Sequence, residues 1–478
     1  MPIRDLFDAD LDRARREPGC VLCRLVREHD EQLMRSLLWE YCTDADVSSR
    51  VSTSWGYCPY HTWTLAVVER EHLGDELGIT ILYQALLKQL LRLLERGSPP
   101  SSLIPPLGPA MGSANCRFCQ LAQREEQLFL SRLTARFEKL AEGGGEQQLR
   151  TELCFPHIRH LLETYQAPSD HQTLLQVLSH RTSRVAGRQL DKESAALATR
   201  LVQYTLPRLA DAFDTMPEPR LDWSHLTRTL AFLVGQREAL PLIHKAANGQ
   251  SIRILTPLLI ITSKRGHFQR PTREACPVCA AISSAILTQC AGEISTGKMT
   301  SSSSALCLNH HWLFAAAVLR RQDEAARQYE SWLKEQYFLA QQQRTVSAYA
   351  DSSSEQRCRA CVYGERAALL AVASFIERLR EINESKEEQS GGLLCLFHWR
   401  HVQQQCAQEA DASALQERLL AMQQRHLMQL DSAVEAYLAR FSASKRERGE
   451  VPDIQGAAWA WESLLALFAG EPGLIEGV

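Results

Sequence analysis

The chain has 478 residues, of which 45% are hydrophobic and 23% charged, and a formal net charge of -3. This is an ordinary globular composition, large enough for about two to four domains with real cores, and it excludes a disordered or low-complexity chain. The slightly acidic balance argues against nucleic acid as a partner, and no apolar run of about 18 residues appears, so no membrane span is expected.

Met1-Pro-Ile-Arg-Asp-Leu-Phe-Asp8 has no apolar stretch behind a basic end, so no signal peptide is expected and the chain reads as cytoplasmic. From Cys20 to about Tyr41, Val21, Leu22, Leu25, Val26, Leu33, Leu37 and Leu38 recur near helical spacing among Arg and Glu, which predicts a helix. Asp44 stands at the N-cap of a short return helix through Val47 and Val51, and Gly56 frees the turn that presents Cys58. The apolar pattern resumes from His61 through Leu65, Val67 and Val68. A longer amphipathic helix is predicted from about Gly74 to Glu95 on Leu77, Ile79, Ile81, Leu82, Leu86, Leu87, Leu90 and Leu91. Ser98-Pro-Pro-Ser-Ser ends it, and the Pro/Gly-rich stretch to Gly112 is a connector.

A similar layout follows. Cys116 to about Ala141 is predicted as a helix, Gly143-Gly-Gly as a break, Leu149 and Leu153 as a return, and Cys154 and His157 as the opening of another helix. Asp170 to Asp214 reads as largely helical, Pro217 and Pro219 interrupt the pattern, and Trp223 to Gly235 reads as a short helix. Ser251 to Phe268 differs in kind: its β-branched run near 252–262 reads as a strand, a hairpin arm or a buried linker. A shorter helix from Cys276, a Ser301-Ser-Ser-Ser loop and a helical stretch from Arg321 to Val346 come next. After the break at Asp351-Ser-Ser-Ser there is a last helix, loop and return, with a loop from Glu381 to Gly392. The final helices are predicted from about Ala412 to Phe441 and from Gln455 to Ala469.

One figure recurs four times along this layout: a C-x-x-C pair answered later by C-x-x-H. The copies are Cys20, Cys23, Cys58 and His61; Cys116, Cys119, Cys154 and His157; Cys276, Cys279, Cys307 and His310; and Cys358, Cys361, Cys395 and His398. Two thiolates three residues apart, joined by a Cys and a His also three apart, close a tetrahedron around one Zn(II) and leave no open position. Read in chain order, each C-x-x-C takes the C-x-x-H that follows it, so that one ion pins two helix starts of one copy. The expectation is about four zinc ions per chain, all structural. Because each ion brings +2 and displaces three thiol protons, four filled sites bring the net charge to about -7. Three Cys and one His can also hold an iron–sulfur cluster, which is the alternative cofactor. Thioredoxin-like chemistry lacks its strand-rich context, and each pair has ligand partners waiting.

The remaining candidates read blandly. Cys42, Cys290 and Cys406 are expected as buried or half-buried thiols. His311 stands beside His310 as an alternative ligand, but the C-x-x-H register of all four copies favours His310; His160 and His401 lie one helical turn beyond ligand histidines, and Asp44 and Arg50 are spaced for a solvated ion pair across the first return. No Gly-rich phosphate loop, nucleophile elbow or H-E-x-x-H motif is present.

The copies pair into two halves. Trp223-Ser-His-Leu-Thr-Arg-Thr-Leu-Ala-Phe-Leu-Val-Gly follows the second copy and Trp459-Ala-Trp-Glu-Ser-Leu-Leu-Ala-Leu-Phe-Ala-Gly the fourth, at offsets close to that between Cys116 and Cys358. Landmarks in one order at nearly constant offset predict a tandem duplication. The fold expected is mainly α: residues 1–245 and 268–478 as two similar helical halves, each with two metal-stapled helix pairs, joined by 246–267.

Cys20-Val-Leu-Cys23, Leu38-Trp-Glu-Tyr-Cys-Thr-Asp44, Arg50 and Ser54-Trp-Gly-Tyr-Cys-Pro-Tyr-His61 resemble a bacterial family of domains of unknown function with repeated C-x-x-C and G-[FY]-C-x-x-H motifs. That family also ends in a Trp-containing helix near a Gly, as Trp459 to Gly470 does here. The third and fourth copies lack the intervening Glu, Asp and Arg. The resemblance implies metal binding and a bacterial origin, and no activity. Closed sites, long amphipathic helices and the lack of an acid/base constellation predict a non-enzymatic scaffold or adaptor whose partner is a protein. A redox- or metal-responsive sensor, a nucleic-acid-binding zinc protein and an iron–sulfur protein are the rival readings.

Overall fold

The computed structural model describes residues 6–14, 20–96, 116–142, 154, 157, 276–295, 359–381, 392–441 and 460–469. Among them the backbone is helical between short turns, with no strand. The expected strand or linker near 252–262, the helices from Asp170, Trp223 and Arg321, and most of the loop from Glu381 to Gly392 lie outside the described residues.

Helix α1 spans Leu6–Ala14 and α2 Val21–Ser36. Of the apolar stripe read from the sequence, Val21, Leu22, Leu25, Val26 and Leu38 are buried and Leu33 and Leu37 half-buried, and Met34, outside that stripe, is buried as well. α2 runs on into one π-helical turn, Leu37–Tyr41, which buries Leu38 and leaves Trp39 74% and Tyr41 47% exposed. Helix α3 spans Ala45–Thr53 and starts where Asp44 predicts: its carboxylate accepts from the Val47 amide at 2.9 Å. Asp44 is therefore engaged as a cap, and Arg50 Nε donates to the Asp46 carbonyl at 3.2 Å.

Helices α4 (Pro59–His72) and α5 (Leu77–Glu95) form a hairpin. Gly74, with φ +88°, closes α4 rather than opening α5, as the amides of Leu73 and Gly74 both return to the Glu69 carbonyl. The first amides of α5 are met from α4: the Glu69 carboxylate accepts from Gly78 N and, at 2.9 Å, from Ile79 N. Further along are α6 (Arg117–Glu142), α7 (Pro277–Ser295), α8 (Arg359–Glu381), α9 (Leu396–Cys406), α10 (Ala412–Ala439) and α11 (Ala460–Ala469).

The chain divides into two compact units, Met1–Asp30 with Leu121–Ile254 and Cys290–Arg359, and Glu31–Gln120 with Leu255–Gln289 and Ala360–Val478. Each draws on both expected halves, 1–245 and 268–478. In the first unit Arg24, almost fully buried, donates to the Ala14 carbonyl at 2.8 Å and ties α1 to α2. In the second, α5 is the central helix and packs on α3, α4, α10 and α11. By length and composition α5 could cross a membrane. Its Ile79, Leu82, Tyr83, Leu86, Leu87 and Leu90 are instead buried among these neighbours. Truncating one of them, such as Leu86→Ala, would cost about 2–5 kcal/mol. A polar cluster sits at the edge of this core: Glu76, 4% exposed, accepts from Tyr437 Oη at 2.9 Å and from Arg70, whose guanidinium lies 5.1 Å above the Trp461 ring.

Candidate metal centres

Each described motif is a helix start with one ligand at the N-cap and the other on the first turn. The carbonyls of Cys20, Cys58, Cys116, Cys276 and Cys395 accept the first helical amides, from Arg24, Thr62, Gln120, Ala280 and Trp399. A residue three places on lies on the same end of the helix, which is why both motifs need two intervening residues. Pro59 and Pro277 fit the first helical position, where an amide would go unused. The helix-end amides also serve the sulfurs: Cys23 N points at Cys20 Sγ and His61 N at Cys58 Sγ, both at 3.5 Å.

Twelve of the sixteen expected ligands come together in three groups of three Cys and one His: Cys20, Cys23, Cys154 and His157; Cys58, His61, Cys116 and Cys119; and Cys276, Cys279, Cys395 and His398. The residue types are those expected and the partners are not. The first C-x-x-C takes the second C-x-x-H, the second C-x-x-C takes the first C-x-x-H, and the third C-x-x-C takes the fourth C-x-x-H. The inner pair, 58–119, is nested within the outer pair, 20–157. The first C-x-x-C and the first C-x-x-H are separated by α2, its π turn and α3, and each meets a motif further along the chain, the C-x-x-H of Cys58 joining the C-x-x-C at the start of α6. Of the fourth set, Cys361 is half-buried, and Cys307, His310 and Cys358 lie outside the described residues.

The three groups have the dimensions of a single tetrahedral ion. With Zn–S of about 2.3 Å and Zn–N of about 2.0–2.1 Å, tetrahedral edges are about 3.8 Å between sulfurs and about 3.5 Å from sulfur to nitrogen. Sulfur pairs lie at 3.6 Å for Cys23 and Cys154, 3.6 Å for Cys58 and Cys119, and 3.8 Å for Cys279 and Cys395. His157 Nδ1 is 3.2, 3.4 and 3.1 Å from the sulfurs of Cys20, Cys23 and Cys154. His61 Nδ1 is 3.1, 3.5 and 3.3 Å from those of Cys58, Cys116 and Cys119. His398 Nδ1 is 3.4, 3.3 and 3.3 Å from those of Cys276, Cys279 and Cys395. An iron–sulfur cluster interposes several irons and sulfides between its thiolates and would hold them much farther apart.

Electrostatics point the same way. Burial raises the thiols of Cys23 and Cys154; it also opposes ionisation of Cys20, which is nevertheless carried well below its ordinary value by hydrogen bonds from Cys154 and Cys23 and by His157. Burial likewise raises Cys279 and Cys395, while Cys276 is lowered by its thiol neighbours and His398. In the inner pair, hydrogen bonds with Cys119 and Cys58 lower Cys116, and hydrogen bonds with Cys116 and Cys119 raise Cys58. In each group one thiolate forms and resists the others. A dication at the centre removes that conflict by stabilising all three.

Side chains from core helices hold the segments before the C-x-x-H cysteines. Tyr57 N donates to the buried Tyr83 hydroxyl of α5 at 3.1 Å; that hydroxyl lies 2.6 Å from Thr62 Oγ1, which donates to the Tyr57 carbonyl at 3.1 Å. The turn beforehand uses left-handed backbone at Trp55 (φ 56°) and Gly56 (φ 100°), and a Cβ on Gly56 would sit 3.1 Å from Tyr83 Oη. Gln423 of α10, fully buried, takes the corresponding part before Cys395: Leu394 N donates to its Oε1 at 3.3 Å and its Nε2 donates to the Leu394 carbonyl at 3.2 Å. Phe118, between the two ligands at the start of α6, stacks on the His61 ring at 5.5 Å. The sequence gives no sign of Tyr83 or Gln423, since each is one more residue in a helical pattern. Only the Gly56–Tyr57 step before Cys58 hints that something must pack closely there.

Cys42 is half-buried and Cys406 buried, neither in a ligand group, and burial pushes the Cys406 thiol up to about 11. The side chain of Cys290, together with His160 and His311, lies outside the described residues. His401 is half-buried and not among the ligands, and burial lowers its pKa.

No family profile matches the chain, and no solved structure does. It is 23% identical over 170 residues to an uncharacterized 23.9 kDa protein in the xynA 3' region of Caldicellulosiruptor sp. strain Rt8B.4, an alignment covering 36% of this chain and 78% of that one.

Proposed function

We propose that this chain is a non-enzymatic helical scaffold, stapled by zinc, that binds another protein in the cytoplasm. The observation that carries the reading is the closure of each ligand group. Three sulfurs and one nitrogen at tetrahedral edge lengths use every position of one ion and leave none for a substrate or water. Zinc fits the soft three-thiolate set and the tetrahedral shape, and the short sulfur–sulfur distances disfavour a cluster. A fourth ion is proposed on Cys307, His310, Cys358 and Cys361, the pairing that nesting implies for the second half. A tandem duplication is proposed on the two Trp-to-Gly segments, Trp223 to Gly235 and Trp459 to Gly470, which follow the second and fourth C-x-x-C pairs at nearly constant offset. Trp39 and Tyr41, exposed on a π turn, are the surface proposed to meet a protein partner. The acidic balance supports a protein rather than nucleic acid. Elemental analysis tests the core of the reading: about four zinc and negligible iron per chain are expected, and iron with acid-labile sulfide would overturn it.

One observation favours a second reading, a redox-responsive sensor. Cys119 is half-exposed within its ligand group, while the other eleven ligands of the three groups are buried. Peroxide would oxidise two thiolates of that group to a disulfide, itself being reduced to water, and expel the ion. The sensor reading expects one ion to leave first and to return after reduction by a dithiol; release of all ions together counts against it.

A further inference from the structure

We infer that Glu126 is a positioning residue for the metal ligand His157, a role that rests on the zinc reading above. His157 presents Nδ1 to the three sulfurs of Cys20, Cys23 and Cys154, each within 3.4 Å. Its other ring nitrogen, Nε2, lies 3.2 Å from Glu126 Oε1 of α6, with the His and Glu side chains only 6% and 15% exposed. A ring that ligates through Nδ1 carries its proton on Nε2. That proton points at the carboxylate, so the hydrogen bond fixes both the tautomer and the ring plane that the ion requires. A half-buried carboxylate at this distance also makes the imidazole a stronger donor to a dication.

The placement is supported by the helix that carries it. Ala122, Leu130 and Leu133 are buried on α6, which fixes the rotation of the helix. The neighbouring Glu125 reaches His29 of α2 at 3.7 Å, so the two adjacent carboxylates serve different partners. In the third group the equivalent Nε2, on His398, is buried and has no acceptor among the described residues. The carboxylate is thus a feature of the Cys20 group and no general property of the motif.

The test is competition for zinc between the full-length, fully loaded chain and a chromogenic chelator, with ions counted as they leave. Glu126→Ala should make one ion about 10–100-fold easier to remove. Glu126→Gln, which still offers an oxygen to the Nε2 proton, should recover most of that loss. In a Cys20→Ala background, where this ion is already gone, Glu126→Ala should change nothing. An Ala variant that releases zinc as the wild type does, a Gln variant as weak as the Ala variant, or an undiminished effect in the Cys20→Ala background overturns the inference. If Cys20→Ala itself leaves the zinc count unchanged, the metal reading of this group fails and the inference falls with it.

Discussion

Replacing Tyr83 with Phe removes one oxygen from the middle of a closed hydrogen-bond circuit. The Tyr57 amide donates to that oxygen, the hydroxyl donates to Thr62 Oγ1, and Thr62 donates back to the Tyr57 carbonyl. The ring of Tyr83 is fully buried, so Phe keeps the packing and strands the Tyr57 amide away from water. A buried donor left unmet costs about 1–3 kcal/mol, and for a unit of this size each kcal/mol lowers Tm by about 2–4 °C. Tyr57 precedes Cys58, so part of the loss should appear as slackened ligand geometry: about 1.4 kcal/mol there is tenfold in zinc affinity. Thermal melting and chelator competition on Tyr83→Phe and wild type measure both effects. The reasoning is refuted if melting moves by less than 1 °C, or if the ion that loosens belongs to the Cys20 or Cys276 group.

Gly56→Ala should destabilise by about 1–3 kcal/mol, because an L side chain is strained at φ 100° and its Cβ would crowd Tyr83 Oη at 3.1 Å; urea unfolding checks it. Gln423→Ala should act on the Cys276 group alone, loosening its ion and lowering stability by about 1–3 kcal/mol, since the Leu394 backbone loses both partners. Glu69 titrates near 7 instead of 4.5 because burial outweighs the amide hydrogen bonds from Ile79 and Gly78. The folded chain therefore holds this proton more tightly than the unfolded one across that window, and the contribution of Glu69 to stability falls as pH rises through it. Relative to Glu69→Gln, which has no proton to lose, wild type should lose about 2 kcal/mol between about pH 5 and pH 8; a constant difference would count against the assignment. Stripping zinc with a strong chelator should open the helix starts locally and raise protease sensitivity at the ligand segments, because metal binding is coupled to folding; limited proteolysis with and without chelator decides it.

The helices and the ligand types were legible for one reason: both are written in local spacing. Apolar residues at helical intervals mark α2, α5 and α10, Asp44 marks the start of α3, and two-residue gaps between ligands mark helix starts. What spacing does not encode is which helix start meets which. That is decided by how whole helices pack, and so reading the motifs in chain order gave the wrong partners. The supports were hidden for a related reason. Tyr83, Gln423 and Glu126 sit in ordinary helical sequence, and their roles arise only when a distant backbone segment or ring is placed against them. Gly74 shows the limit of composition at element ends: it could open one helix or close another, and only its left-handed backbone shows that it closes α4.

The nested pairing is the claim on which the account turns, and counting zinc in paired cysteine variants tests it most directly. Cys20→Ala and Cys154→Ala should each remove one ion, and the double variant Cys20→Ala/Cys154→Ala should remove that same single ion. Cys20→Ala/Cys58→Ala should remove two, because these residues belong to different groups. The reverse, one ion lost from the Cys20 and Cys58 pair and two from the Cys20 and Cys154 pair, would restore the chain-order assignment and contradict the structure.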